Sequence, residues 1–173
     1  MRAAEATGFP SLTDLNRLPS RDFADAIALL FEPAPRFAAW LAGARPFKSD
    51  GMMLEAAARI AHRMTEAEQV ELINAHPRLG ARDRLSDASG REQGAKRGRV
   101  DARLARLNDA YETRFGFRYL VYVAGRPREE LLPEFRAALR DDRAGELRRA
   151  LDDTLAIAAD RLRWFRSPVP ENA

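Results

Sequence analysis

The sequence predicts an all-α domain, and three observations predict it. Ala, Leu, Arg and Glu abound while Val and Ile are sparse, a mix that favours helix over sheet. Apolar residues recur at spacings of three and four through most of the chain. Stretches with that period are punctuated by cap and stop signals. The expected architecture is a single compact multi-helix domain with one short extended segment near residues 117–124.

The elements follow in order. Residues 1–19 read as an N-terminal arm with one helical turn around Leu12 to Asn16. Ser20 is the expected N-cap of the next helix, which turns Phe23, Ile27, Leu30 and Phe31 to one face. Pro33 and Pro35 should stop it. A short helix from Arg36 to Leu41 carries Phe37 and Trp40 and ends near Gly43. Asp50 is the expected cap of a helix through Met64, with Met53, Ala57, Ile60 and Ala61 inward. TEAE, Thr65 to Glu68, reads as a capping box, and the helix it opens should bury Val70 and Ile73 and end at His76-Pro77.

A polar loop, Arg78 to Ala88, precedes a long helix from about Gly90 to Phe115 with Leu104, Leu107, Tyr111 and Phe115 as its core stripe. Gly116 suits the position after its end. FRYLVYVAG is aromatic and β-branched, with no partner strand in view. Pro127 suits the first position of a helix, and Pro133 should kink or restart it. A last helix, about Ala144 to Phe165, shows Leu147, Leu151, Leu155, Ala158, Leu162 and Phe165. Residues 20–166 form the domain and 167–173 a C-terminal tail. Phe37, Trp40, Trp164 and Phe165 read as core or interface residues.

Composition narrows the function. Lys plus Arg is 29 against 26 acidic residues, a net charge of +3. The basic run KRGRVDARLAR reads as a solvated helix face without interleaved aromatics, so no nucleic-acid partner is expected. No apolar run is long enough to span a bilayer, so no membrane partner is expected either. The first twenty residues have no apolar signal core, and a cytoplasmic protein is the expectation. With no cysteine there is no disulfide, thiolate ligand or cysteine nucleophile. Two histidines without ligand spacing give no case for a metal.

The candidate chemistry centres on AHPRLG. Proline disfavours the α region for the residue before it, so His76 should leave helical geometry where its helix ends. Its ring can then face the following loop, and the helix C-terminus should favour the imidazolium and raise its pKa. The plainer reading is that His76-Pro77 is only a helix stop. His62, mid-helix, reads as a surface or flank residue. Ser89 and Glu92 of SGREQ form a capping-box pattern, which is structurally sufficient. The same helix N-terminus could bind a carboxylate or urea-like ligand, and Glu92 could accept its N–H bonds. Local sequence leaves both roles open.

ALLFEPAPRFAAWL, AHPRLG, SGREQ, LNDAYETRFGFRYLVYVAGRPREELL and ELRRALDDTLAIAADRL occur in this order. Together they resemble the 2-oxo-4-hydroxy-4-carboxy-5-ureidoimidazoline (OHCU) decarboxylase family over roughly residues 10–165. The family yields (S)-allantoin in urate breakdown. The resemblance implies catalytic roles for His76 and Glu92. It implies substrate binding by Pro77, Ser89, Gln93, the segment Leu120, Val121, Tyr122, Val123 and Ala124, and Arg161. It implies a small anionic substrate, no cofactor and a homodimer, for which Trp40 or Trp164 is a candidate contact. Many family members have Asp where this chain has Arg78 and Glu where it has Asp153, and the RDDR after Leu139 lacks an expected Asn. A helical binding module without catalysis would keep the core stripes but would not need His76, Ser89 and Glu92 together. A decarboxylase of a related heterocycle is the nearer alternative.

Overall fold

The structure, a computed structural model, describes residues 8–80 and 91–167, with backbone alone for 91–97 and 99. Its described residues form eight helices and no strand. They are α1 (Leu12–Arg17), α2 (Ser20–Phe31), α3 (Pro35–Gly43), α4 (Asp50–Arg63), α5 (Glu66–Asn74), α6 (Arg91–Phe115), α7 (Arg128–Ala138) and α8 (Arg143–Arg166). The all-α expectation holds, and residues 117–123 run as an extended segment without a ladder. None of the described helices is long and apolar enough to cross a membrane.

The last helix organises the rest. α8 packs against α2, α4 and α5, while α3 lies on α2 and α4, and α7 on α6. Its stripe Leu147, Ala150, Leu151, Thr154, Ala158 and Leu162 is buried, while Leu155 and Phe165 are only half-buried. The segment expected as an arm carries α1, whose Leu15 is fully buried. Asn16 ties it down by donating to the Phe47 carbonyl at 2.9 Å and accepting from the Phe47 N–H at 2.8 Å.

Several boundaries differ from the expected ones, each for a local reason. Ser20 is the first helical residue of α2 rather than its cap; Pro19 stands at the N-cap and makes no side-chain bond. Pro35 opens α3 instead of ending a helix, because a proline at the first turn sacrifices an N–H that has no intrahelical partner. Ser49, not Asp50, caps α4 by accepting the Met52 N–H. The Thr65–Glu68 capping box forms as expected. Pro127 is the N-cap of α7 rather than its first residue.

Pro133 neither ends nor restarts α7. An interior proline costs about 3 kcal/mol. Leu131, Leu132, Phe135 and Ala138 are all buried on the two sides of it. Full burial of one large apolar side chain gives about 1.5–3 kcal/mol, so tertiary packing outweighs the lost bond. Ile60, Val70 and Leu107 pack only at the core's edge. Trp40 and Trp164 are not in the core: they are 58% and 73% exposed, and the Trp40 indole N–H donates to Glu68 Oε1 at 3.0 Å.

Two features fix the site's walls. α2 ends at Glu32, whose φ of 61° and ψ of 170° lie in a region held almost exclusively by glycine. Such a conformation costs about 1–3 kcal/mol, and the following Pro33 also bars Glu32 from continuing the helix. The second is an aromatic cluster beneath the extended segment. Tyr119 stacks on Phe135 with centroids 3.6 Å apart, and Tyr111 meets Phe115, Phe117 and Tyr119 at tilted or edge angles.

Phe135 should therefore be a stability anchor. Phe135→Ala is expected to cost about 3–5 kcal/mol, read from the shift in urea midpoint. A loss below about 1 kcal/mol would mean that the cluster can collapse around the hole.

Candidate active site

His76 lies two residues beyond the end of α5 and is 2% exposed. Its N–H still donates to Ile73 O at 3.2 Å, so the chain leaves the helix by a tightened last turn. The imidazole Nδ1 faces the Leu72 carbonyl at 3.4 Å, a long contact, and Nε2 is buried without a partner among the described residues. That pattern suits Nδ1–H as donor, leaving an unoccupied lone pair on Nε2.

The expected rise in the His76 pKa is corrected here: the ring is held below the ordinary histidine value. Burial is the main cause and the Arg161 charge the next; Glu32 and the Leu72 carbonyl oppose them. The helix end that should have favoured an imidazolium already has its cation. Arg118 Nη1 donates to Asn74 O at 2.7 Å and His76 O at 2.8 Å, and the Arg118 N–H donates to Asn74 Oδ1 at 2.9 Å. With those groups satisfied by a guanidinium, desolvation decides the charge of the ring.

The loop after His76 is stitched to α6. Arg78 grips Glu112 through two bonds of 2.7 and 2.6 Å and reaches Asp109 at 3.0 Å. Asn108 donates to Leu79 O at 2.9 Å. Gly80 has φ 86°, and a Cβ there would meet Leu104 Cδ1 at 3.0 Å, so glycine lets the loop lie flat on α6.

The extended segment is held from below. Arg149 donates to Leu120 O at 2.8 Å and covers the Tyr119 ring at 4.9 Å. Glu146, 2% exposed, receives Arg149 at 2.7 Å and the Tyr111 hydroxyl at 2.6 Å. Asp153 accepts Arg149 at 2.8 Å, and burial pushes its carboxyl above the ordinary range. Arg126 closes the far end by donating to Tyr122 O at 3.0 Å and Val123 O at 3.2 Å.

These pieces enclose a pocket of about 340 Å³ lined by His76, Pro77, Arg78, Leu79, Gly80, Tyr119, Leu120, Val121, Val123, Arg128, Ile157 and Arg161. Of the expected site residues, His76, Pro77, Leu120, Val121, Val123 and Arg161 thus converge. Tyr122 and Ala124 line an adjoining cleft that shares Val121, Val123, Ile157 and Arg161 with it. Ser89 lies outside the described residues. Glu92 and Gln93 fall in the first turn of α6, where only backbone is described. His62 is a surface residue, with Nε2 2.9 Å from Asp152 Oδ1.

Sequence reasoning missed Tyr119, Arg128 and Ile157 in the lining, Arg118 behind His76, and Glu32 behind Arg161. Ile157 had a signal, because it sits four residues before Arg161 on the same helix face. Arg118 had one too: it is a lone charge in an aromatic and β-branched run. Glu32 had none beyond standing before a proline. Among the described residues no cluster of three His, Asp or Glu side chains could hold a metal.

The fold and site define a helical protein with a small, mostly apolar pocket, a neutral imidazole at one wall and guanidinium groups at the others. The OHCU decarboxylase family model matches residues 16–163, and the chain belongs to that family. It is 30% identical to the 2-oxo-4-hydroxy-4-carboxy-5-ureidoimidazoline decarboxylase of Haloferax volcanii, covering 88% of this chain and 94% of that one. Identity to the enzyme of the same name in Halalkalicoccus jeotgali is also 30%, over 91% of this chain and 93% of that one. A crystal structure of OHCU decarboxylase in the presence of (S)-allantoin shares the fold. Its TM-score is 0.65 at 18% identity, covering 83% of this chain and 99% of that one.

A neutral buried His76 has a consequence for stability. Between the ordinary histidine value near 6.5 and the lower folded value, the unfolded chain binds a proton that the folded chain refuses. The contribution is therefore full above about pH 6.5, falls as pH drops through that window, and levels off below the folded value. Its slope is at most about 1.4 kcal/mol per pH unit. Urea denaturation from about pH 7.5 to 5 should show this slope in wild type and lose it in His76→Asn. An equal slope in both proteins would mean that the imidazole protonates freely inside the fold.

Proposed function

We propose that this chain decarboxylates 2-oxo-4-hydroxy-4-carboxy-5-ureidoimidazoline to (S)-allantoin, with His76 as its proton-transfer group. The observation that carries the reading is the buried Nε2 of His76, without a partner among the described residues, in the pocket of an OHCU decarboxylase family member. A neutral imidazole with a free lone pair is equipped to accept a proton.

The substrate supplies its own electron sink. The bond between the ring carbon and its carboxylate breaks, and the pair forms a double bond to the neighbouring ureido-bearing carbon. The electrons of the adjacent C=N bond move onto the ring nitrogen, which takes a proton from solvent. Carbon dioxide leaves behind an enol. His76 Nε2 accepts the enol hydroxyl proton, and the imidazolium returns a proton to the ureido-bearing carbon, restoring the neutral ring. Delivery from one wall fixes the S configuration. No step calls on a cofactor.

The remaining roles follow the shape and charge of the substrate. Arg161, in the wall with His76, steers the carboxylate. Leu120, Val121 and Val123 exclude water around the reacting carbon, and Pro77 packs beside the imidazole. The segment through Tyr122 and Ala124 offers backbone groups. Ser89, Glu92 and Gln93 hold the ureido and ring N–H groups. A homodimer is part of this reading, supported by the exposed indoles of Trp40 and Trp164.

The test uses substrate made freshly by urate oxidase and hydroxyisourate hydrolase. His76→Asn keeps a polar side chain but cannot exchange a proton near neutral pH. The rate should fall about 10²–10⁴-fold with folding intact. Circular dichroism should show a single allantoin enantiomer from wild type and drift toward racemate in the variant as unaided decay takes over. Fast, enantiopure product from His76→Asn would remove the role assigned to this histidine.

Glu92→Gln separates the two roles of that residue, since Gln can also close a capping box. Stability should change by no more than about 1 kcal/mol while activity falls far more. If stability collapsed and the folded remainder kept normal activity, Glu92 would be a cap alone.

A further inference from the structure

We infer that Glu32, at the kinked end of α2, is a positioning residue that holds Arg161 in the wall of the His76 pocket. The inference rests on the decarboxylase reading for its effect on turnover, and on geometry alone for its effect on the pocket.

The first observation is conformational. Glu32 is a non-glycine residue in a backbone region that glycine occupies almost exclusively. Glycine would hold the same turn without strain, so backbone geometry gives no reason for a glutamate here. The side chain supplies the reason. Its Oε1 accepts from Arg161 Nη2 at 2.6 Å, while Arg161 Nη1 donates to Leu30 O at 3.0 Å. The guanidinium therefore grips α2 at two points, one on each side of Phe31.

The second observation is where Arg161 stands. It lines the pocket with His76, whereas Glu32 does not. The clamp spends two of the five guanidinium N–H donors and fixes the plane of the rest. The other arginines of the lining are held from α6: Arg78 by Glu112 and Asp109, Arg128 by Asp101 at 3.1 Å. Glu32 is the only carboxylate from α2 in this set of clamps. Glu32 and Arg161 are also the charged groups that bear on the imidazole, in opposite senses. Among the described residues, Arg78, Arg128 and Tyr119 line the same pocket, the Leu72 carbonyl faces the ring, and Arg118 lies behind the His76 carbonyl.

The test compares Glu32→Gly, Glu32→Ala and Glu32→Gln in the full chain. Gly and Ala both remove the carboxylate, but only Gly relieves the backbone. Gly should therefore be the more stable of the two in urea. If Glu32 positions Arg161, both should lose kcat/KM alike, on the order of 10–100-fold, because small misplacements at a reacting centre carry penalties of this size. Gln, which keeps the acceptor oxygen, should lose less. In an Arg161→Ala background the Glu32 changes should add little, since the two residues act as one unit.

The second readout does not need turnover. With only two histidines in the chain, the His76 ring is readily assigned by NMR. Glu32→Gln removes the charge but keeps the acceptor that holds Arg161, so His76 should titrate lower in this variant than in wild type. Activity that recovers in Gly relative to Ala, in step with stability, would overturn the inference by making Glu32 a purely structural residue. An unchanged His76 titration in Glu32→Gln would overturn it as well. If the wild-type chain failed to decarboxylate the substrate, the proposed function would fall, while the titration would still decide whether Glu32 and Arg161 act together on the pocket.

Discussion

A stretch of extended chain with no neighbouring strand leaves its peptide groups without a ladder, and buried peptide groups left unpaired are costly. Residues 117–123 are in that position, and much of the site depends on how the problem is met. Side chains replace the missing strand: Asn74 receives the Arg118 N–H, Arg149 serves Leu120 O, and Arg126 serves Tyr122 O and Val123 O. Arg149 can do this from inside the protein only because Glu146, Asp153 and the Tyr119 ring surround it. Breaking a buried pair by removing one partner leaves a stranded charge. The cluster therefore fixes the height of the segment above α8, and with it one wall of the pocket.

The same logic ties His76 to this segment. Arg118 belongs to the extended run but terminates α5, so two walls of the pocket share one guanidinium. Neither wall can shift far without stretching that link. The lowered pKa of His76 comes from its burial and from the nearby Arg161 charge, while the cation at the helix end is an arginine from 42 residues further along the chain.

This explains what could be read from the chain and what could not. Helices with a full apolar stripe and a side-chain cap, such as α4 and α5, were legible because stripe and cap are both local. Proline was the least reliable signal. Pro35 was read with Pro33 as the stop of α2, which does end at Phe31, but it also opens α3, where a first-turn proline gives up only an unpartnered N–H. Pro133 was read as a kink or restart, yet α7 runs on through it with buried neighbours on both sides. Trp40 and Trp164 were read as core or interface residues; their exposure removes the core alternative, and Trp40 bonds its indole to Glu68. In the site, the position of His76 followed from its proline, whereas the direction of its pKa shift depended on burial by distant elements and on Arg161. Glu32 could not be found by pattern, since its partner lies 129 residues away.

The packing of α8 has a consequence for motion. A helix that touches α2, α4 and α5 at once has no small subset of contacts whose loss would free it. Its buried turns around Thr154 and Ala158 should exchange amide hydrogens only through global opening, at the slow limit set by whole-molecule unfolding. The wall that carries Arg161 is then the stationary one. Among the described residues, local opening is easiest where the chain is held to its neighbours by individual side-chain bonds, as at Leu79 O, Tyr122 O and Val123 O, since these can break without unfolding the protein.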